Sequence, residues 1–282
     1  MIIIKVIIIF IGAIVMEFII YIVFIIGVAI VFIHVFHAIF VDRKVNYHMM
    51  DYYASSVSKE LDGYKIIFIA DIHDYSVKKL EKDIAYLNKL EPDILLLGGD
   101  FPKREKRAKI LETLAGLSTK DGIYGVDGNH DLAEGLFMDM RIVGMTPLDD
   151  FGLRIRDQLY LAGVSDMWNR TPNIEKALQG AKEDDFVILI SHQPDIVMLQ
   201  DTKQVNLTLA GHTHGGQITF FGKWKPISLL RWHSKYGHRL FGGWAKTAAD
   251  TDIYVTNGLG MQSLRIFAQS EIVIVSLKEK KE

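Results

Sequence analysis

The sequence predicts an α/β domain held behind a single N-terminal membrane-spanning helix. Three observations carry that expectation: a strongly apolar run from Ile2 to Phe40, short β-rich runs alternating with amphipathic stretches from Leu61 onward, and ligand-type side chains directly after five of those runs. Cysteine is absent from the 282 residues, which excludes disulfides and thiolate metal sites. Any metal must therefore be held by imidazole, carboxylate or amide oxygen. The formal net charge of −2 gives no global attraction for nucleic acid or anionic lipid, so such a pull must come from a local cluster.

The first element, IIIKVIIIFIGAIVMEFIIYIVFIIGVAIVFIHVFHAIF, also accounts for the positive mean hydropathy of the whole chain. A buried core helix would be shorter, and a cleavable signal peptide has an apolar part of only ~7 to 15 residues. Two helices split at Glu17 are disfavoured, because the part before Glu17 would span only ~22 Å against ~30 Å of hydrocarbon. One tilted span is expected from Phe18 to Phe40, with Ile2 to Met16 extending it or lying at the interface. Glu17 belongs at its boundary, since an acid inside the bilayer is costly. Lys5 before the span and Arg43 and Lys44 after it put the rest of the chain in the cytoplasm by the positive-inside rule. The expected organisation is an anchor over 1–41, a juxtamembrane connector over 42–60 with an edge strand near Val57, and a folded domain over 61–282. The expected location is the cell membrane, crossed once.

In the domain, strands are expected at KIIFIA (65–70), DILLLG (93–98), GIYGV (122–126), LYLAGV (159–164), FVILIS (186–191), LTLA (207–210), DIYVT (252–256) and EIVIVSL (271–277). Several are apolar throughout, as strands covered on both faces must be. Between the first two, Val77, Leu80, Ile84 and Leu87 recur at helical spacing, with Ser76 suited to the N-cap and Pro92 beyond the end. A second helix is expected around Lys103 to Leu117, burying Leu111 and Leu114.

Polar residues follow the strands in a consistent way. KIIFIA runs into Asp71-Ile72-His73, DILLLG into Gly99-Asp100, GIYGV into Gly128-Asn129-His130-Asp131, FVILIS into His192, and LTLA into Gly211-His212-Thr213-His214. Singly, an Asp-x-His or a Gly-Asn-His-Asp is more often an ordinary turn. Five strands delivering such groups to one sheet edge, where open α/β sheets build their sites, point instead to a metal centre.

In this order the motifs resemble those of the calcineurin-like metallophosphoesterase superfamily. The likeness extends to its membrane-anchored bacterial branch, of YkuE-like and UDP-diacylglucosamine pyrophosphatase-like proteins, in which GHTHGGQ precedes a basic, aromatic stretch and a closing GLG, here NGLG at 257–260. The resemblance covers about Leu61 to Leu277. It implies a two-sheet α/β/β/α sandwich and two divalent metal ions. Carried over by position, Asp71, His73 and His214 resemble the ligands of one metal, Asn129, His192 and His212 those of the other, and Asp100 the bridging carboxylate. His130 resembles the general acid. Manganese is favoured among Mn, Fe, Zn and Co, all of which N/O sites accept.

The residue types suit that chemistry. Two cations ~3.5 to 4 Å apart clamp the attacking and leaving oxygens of an in-line displacement at phosphorus. Asp100 has two oxygens with which to reach both. Asn129 offers a neutral oxygen, and His130, next in sequence, can protonate a leaving oxygen. Gly211, Gly215 and Gly216 allow the backbone a tight turn close to metals and substrate. Two positions depart from the family pattern. Tyr75 replaces a glycine and is expected to reshape the pocket mouth. Pro102 and Lys103 stand where an acid often follows the bridging aspartate, leaving the partner of His130 open between Asp131 and Asp166.

From Gly215 to Ala249 there is no Asp or Glu, while Lys223, Lys225, Arg231, Lys235, Arg239 and Lys246 interleave with seven aromatic rings. A solvated loop, a nucleic-acid platform and a membrane-interface lip all fit that composition. The anchor favours the lip, with Lys223, Arg231 and Arg239 as substrate-binding cations. The chain is thus expected to be a metal-dependent hydrolase of a phosphodiester or pyrophosphate bond, with membrane lipid and a phosphorylated amphiphile such as UDP-diacylglucosamine as partners. Nucleic acid is disfavoured. The alternatives are a tethered diesterase for soluble nucleotides or nucleic acid, and a catalytically silent metal-binding scaffold. The oligomeric state is left open.

Overall fold

The computed structural model describes residues 2–42, 44–230, 234–260 and 264–280. Helix α1 (Ile2–Phe36) is continuous and passes into a π-helical turn over His37–Val41. Glu17 therefore sits within one helix rather than at a break. At ~1.5 Å per residue the helix is about 50 Å long, more than the ~30 Å of a bilayer core. Its apolar side chains are exposed along nearly its whole length, and residues Ile9–Val41 are long and apolar enough to cross a membrane.

Twelve strands follow in chain order. They are β1 (Asn46–Ala54), β2 (Lys65–Ile69), β3 (Ile94–Leu97), β4 (Ile123–Gly125), β5 (Thr146–Pro147) and β6 (Phe151–Arg156), then β7 (Leu159–Gly163), β8 (Phe186–Ser191), β9 (Leu207–Ala210), β10 (Gly243–Lys246), β11 (Asp252–Val255) and β12 (Glu271–Glu279). One sheet has the order β1-β12-β2-β3-β4-β5 and the other β10-β11-β9-β8-β7-β6. Helices α2 (Val77–Leu87), α3 (Arg104–Ala115) and α4 (Ala133–Ile142) cover the outer face of the first sheet, and α5 (Ile174–Ala177) lies against the second.

The period-2 alternation of strand side chains builds three apolar layers. Ile66 and Phe68 of β2 point between the sheets with Leu96, Leu161, Ile188, Ile190 and Leu209. Ile67 and Ile69 point outward onto Leu80, Ile84, Leu111 and Leu114 of α2 and α3. On the far side Val187, Leu189 and Val255 meet Ile174, Ala177 and Ile196. The architecture is the α/β/β/α sandwich, and the double coverage explains why the strands read apolar throughout.

Strand β1 is the main local departure from expectation. It occupies 46–54 within the stretch expected as a connector, runs parallel to β12 with Asn46 opposite Glu271, and closes the edge of the first sheet. Val57, where an edge strand was expected, is a buried turn residue just beyond it. Because β12 is antiparallel to β2, with Val273 opposite Phe68, β1 starts at the edge where β2, β3 and β4 end. The end of α1 thereby reaches the domain on that same edge.

Candidate metal centre

Each expected ligand leaves the carboxyl end of a strand whose register is fixed by its neighbours. Ile69 pairs with Leu97 and Leu97 with Gly125 in the first sheet, and Ser191 pairs with Ala210 in the second. Asp71, Asp100 and Asn129 therefore issue side by side from one sheet and face His192 and His212 issuing from the other. Five of these residues, Asp71, His73, Asp100, His212 and His214, have left-handed φ values of 53°, 39°, 58°, 70° and 50°. Non-glycine residues enter that region at a cost of about 1–3 kcal/mol each, and such strain collects at functional sites.

The side chains converge on two adjoining groups. In one, His73 Nε2 lies 3.3 Å from His214 Nε2 and 3.8 Å from Asp71 Oδ1, and His214 Nε2 is 3.7 Å from the same oxygen. In the other, Asn129 Oδ1 lies 3.0 Å from His192 Nε2 and 2.8 Å from His212 Nδ1. Asp100 Oδ2 stands between them, 3.6 Å from His73 Nε2 and 3.3 Å from His192 Nε2. The five carboxylate and imidazole groups Asp71, His73, His214, Asp100 and His192 form two overlapping clusters of metal-ligand type, and all five are buried.

Surrounding groups fix these orientations. The Gly98 carbonyl accepts from His192 Nδ1 at 2.7 Å, which turns Nε2 toward Asp100 and fixes the tautomer in the way ligating histidines require. The backbone N–H of His212 donates to both Asp71 oxygens, at 3.2 and 3.0 Å. Gly128 is tight against Asp100, since a Cβ there would lie 2.2 Å from Asp100 Oδ1. Gly211 plays the same part for Asp71, where a Cβ would meet Oδ2 at 2.6 Å.

Burial pushes the Asp71 carboxyl up to about 7, against the pull of His192. Burial also raises Asp100, but His192, His73 and the His130 N–H outweigh it and hold the group well below the usual range. Burial lowers His192, yet the Asp100 and Asp71 carboxylates raise it to about 10. His73 is lowered to about 4 by burial, and His214 well below its ordinary value by burial and the Arg265 charge. A buried set of oxygen and nitrogen donors without sulfur, with two carboxylates crowded into it, fits two divalent cations.

The two candidates for a partner of His130 have other occupations. Asp131 accepts from the N–H groups of Asp100 (2.8 Å), Phe101 (3.1 Å) and Gly128 (2.9 Å), clamping the loop that presents Asp100. Asp166 accepts from the N–H groups of Trp168 and Asn169, at 2.9 and 3.0 Å. His130 itself is exposed, with its ring 5.6 Å from that of His73 and its N–H on Asp100 Oδ1 at 2.9 Å. Tyr75 does not reach the pocket mouth. It turns into the core beside Leu80 and donates to Asp83 Oδ2 at 2.7 Å.

Of the expected substrate-binding cations, Lys223 is exposed in the turn after Phe220, Arg239 donates to the Lys246 carbonyl at 3.3 Å, and Arg231 lies outside the described residues. A cavity of about 510 Å³ adjoins His73 and His130, and it is lined by Lys103 and Arg107 rather than by those residues. Lys225, one of the cations interleaved with the aromatic rings, donates to the Phe241 carbonyl at 2.8 Å and braces the loop behind Gly216.

Two residues at the site carry no motif. Arg265, 2% exposed, donates to the carbonyls of Asn257 (2.6 Å), Gly260 (2.6 Å) and Ala268 (3.1 Å), with Nη2 3.3 Å from His214 Nδ1. Its one sequence signal is a lone cation between Leu264 and Ile266 shortly after NGLG. Trp168, 61% exposed, sets its ring edge-on to His212 at 5.5 Å.

Residues 64–216 match the family model described as calcineurin-like phosphoesterase. Among curated proteins, the transmembrane protein with metallophosphoesterase domain of Danio rerio is 28% identical over 247 residues, 78% of this chain and 54% of its own length. An uncharacterized metallophosphoesterase of Helicobacter pylori is 34% identical over 249 residues, covering 81% of this chain and 62% of its own. The uncharacterized metallophosphoesterase YkuE of Bacillus subtilis is 28% identical over 260 residues, 84% of this chain and 88% of its own. The chain spans between about half and two thirds of the length of the first two of these relatives.

Proposed function

The chain belongs to the calcineurin-like phosphoesterase family, and from that premise we propose that it hydrolyses a phosphodiester or pyrophosphate bond of a lipid-linked substrate at the membrane surface. UDP-diacylglucosamine is one substrate of that class. The domain is proposed to lie on the cytoplasmic side, and manganese is the proposed metal.

The observation that carries the reading is where the anchor meets the domain. The end of α1 enters on the sheet edge that bears the metal-ligand cluster and is fastened there. His37 stacks on Phe267 with ring centroids 3.9 Å apart, and buried Asp42 accepts from the Phe267 N–H at 2.9 Å. His34 packs against Phe220 and Phe221 at 4.9 and 4.8 Å. Phe220, Phe221, Trp224 and Ile218 are exposed beside this junction, an apolar border suited to a bilayer interface. A substrate whose phosphate sits at headgroup level would meet the cluster without leaving the membrane.

Asp71, His73, His214, Asn129, His192, His212 and Asp100 would hold two divalent cations, which when bound supply charge neutralisation at phosphorus and a more acidic water. The residues then have distinct tasks. Asp100 stands between the two groups of ligands through Oδ2, while its Oδ1 is held by the His130 N–H. Gly98 and the His212 N–H keep the histidine and aspartate ligands oriented. His130 donates a proton to the departing oxygen, which matters most for a poor leaving group.

The test is hydrolysis by full-length protein in vesicles of three substrates, a soluble aryl diester, a nucleotide diester and a lipid-linked pyrophosphate, each with Mn²⁺ or chelator. The reading expects chelator-sensitive turnover with the highest kcat/KM on the lipid-linked substrate. Preference for the nucleotide diester would remove the lipid assignment, and absence of turnover on all three would remove the hydrolase.

A further inference from the structure

The cavity beside His73 and His130 lies between the loop after β3 and helix α4, and it has a chemical character of its own. Most of its charges are matched locally. Arg107 donates through Nε and Nη2 to Asp139 at 2.8 and 2.6 Å, and Asp74 faces Lys106 at 3.7 Å. Lys103 is the remaining lining cation, exposed at the rim and, among the described residues, without an ion-pair partner. It stands three positions after Asp100, where the sequence departs from an acid to a base. The same cavity is also lined by the apolar side chains of Phe101, Leu132 and Met138, with Leu132 82% and Met138 64% exposed. An exposed leucine or methionine is ordinary singly; together, along one cavity that opens on a polar centre, they present an amphiphilic surface.

We propose that this cavity receives the part of the substrate beyond the scissile phosphorus, and that Lys103 binds a second phosphoryl group there, selecting diphosphate diesters over monophosphate diesters. The proposal rests on the hydrolase reading above. In the reaction the oxygen of one water bonds to the scissile phosphorus and gives up a proton to solvent, and the bond from that phosphorus to the bridging oxygen breaks. The bridging oxygen leaves with the bonding pair on the second phosphoryl group, giving two phosphomonoesters. Negative charge grows on the departing group, so a cation already placed beside it binds the transition state more tightly than the ground state. The ammonium of lysine is a compact point charge on a flexible stem and suits a phosphoryl oxygen whose exact position varies with the attached group.

The experiment compares wild-type, Lys103→Ala and Lys103→Arg full-length protein, loaded with Mn²⁺ in phosphatidylcholine vesicles. The substrates are bis(p-nitrophenyl) phosphate and the diphosphate diester with the same two aryl groups, and inorganic pyrophosphate is the competing inhibitor. Lys103→Ala is expected to lower the ratio of kcat/KM, diphosphate over monophosphate, about tenfold and to raise the pyrophosphate Ki by a similar factor, the scale of one charge-assisted contact. Lys103→Arg should recover most of both. An unchanged ratio, or Arg no better than Ala, overturns the proposal. If wild-type protein cleaves neither diester, the hydrolase reading fails, and calorimetric titration of the Mn²⁺-loaded protein with pyrophosphate still decides the subsite. Equal affinity in wild-type and Lys103→Ala would overturn it.

Discussion

Replacing Gly128 by alanine tests how tightly the centre is built. The backbone there does not occupy the left-handed region, so alanine adds steric crowding and little conformational cost. The new Cβ would lie 2.2 Å from Asp100 Oδ1, 2.5 Å from Asp100 N and 2.8 Å from Asp100 Cγ, where ordinary contact begins near 3.4 Å. Asp100 must recede by about 1 Å, a misplacement that can cost about 10²-fold in rate at a reacting centre. Retreat is opposed on two sides, because Asp100 N donates to Asp131 at 2.8 Å and Asp100 Oδ1 accepts from His130 N at 2.9 Å. Loss of those two bonds at about 1 kcal/mol each, added to overpacking of about 1–3 kcal/mol, predicts a destabilisation of about 3–5 kcal/mol. The assay is the urea midpoint, bound metal and kcat on a soluble aryl diester. Gly63→Ala is the control, since φ is +84° there and no atom lies within 4 Å of its Cβ. It should cost about 1 kcal/mol in stability and leave turnover intact. Wild-type kcat and metal content in Gly128→Ala would refute the role given to Asp100.

Three further outcomes follow from the same geometry. His130→Ala should keep its metals and lose about 10²- to 10⁴-fold in kcat on an alkyl diester but much less on an aryl one, read from a leaving-group series. Arg265→Met leaves three backbone carbonyls without their donor, predicting a loss of about 3–5 kcal/mol by urea denaturation, with Lys a partial rescue. Asp42→Ala removes the acceptor of both His37 and the Phe267 N–H. It should reduce turnover of a vesicle-borne substrate more than that of a soluble diester, and equal losses would detach the anchor junction from substrate access.

The sequence was most legible where burial on both faces forces continuous apolar runs. All eight strands expected from such runs form, from Lys65–Ile69 to Glu271–Glu279, because their pattern is dictated by two covering layers. The strands it missed are edge elements. β1 reads NYHMMDYYA, mixes polar and apolar residues, and is held by β12 more than two hundred residues away, a partner no local pattern reveals. β5 has two residues, β10 four, and β6 lies on the half-exposed outer edge. Helix α4 was hidden by Gly135 and by its place just after the Asn129-His130-Asp131 string, which drew attention as a ligand loop. The convergence of the seven expected ligands was readable because each follows a strand. The groups that hold them were not, since Gly98, Asp131 and Arg265 act through backbone contacts set by the tertiary fold. Lys225 and Tyr75 show the same limit, being polar side chains whose burial depends on distant carbonyl and carboxylate partners.

The central claim is that Asp100 joins two adjacent cation sites into one centre. Elemental analysis of the purified full-length protein after Mn²⁺ loading and gel filtration, wild-type beside Asp100→Asn, measures it directly. The account predicts two metal ions per wild-type chain and one or fewer in the variant, because an amide bridges cations poorly and removes a charge that holds both. Two ions retained by Asp100→Asn, or a single ion in the wild-type protein, would contradict it.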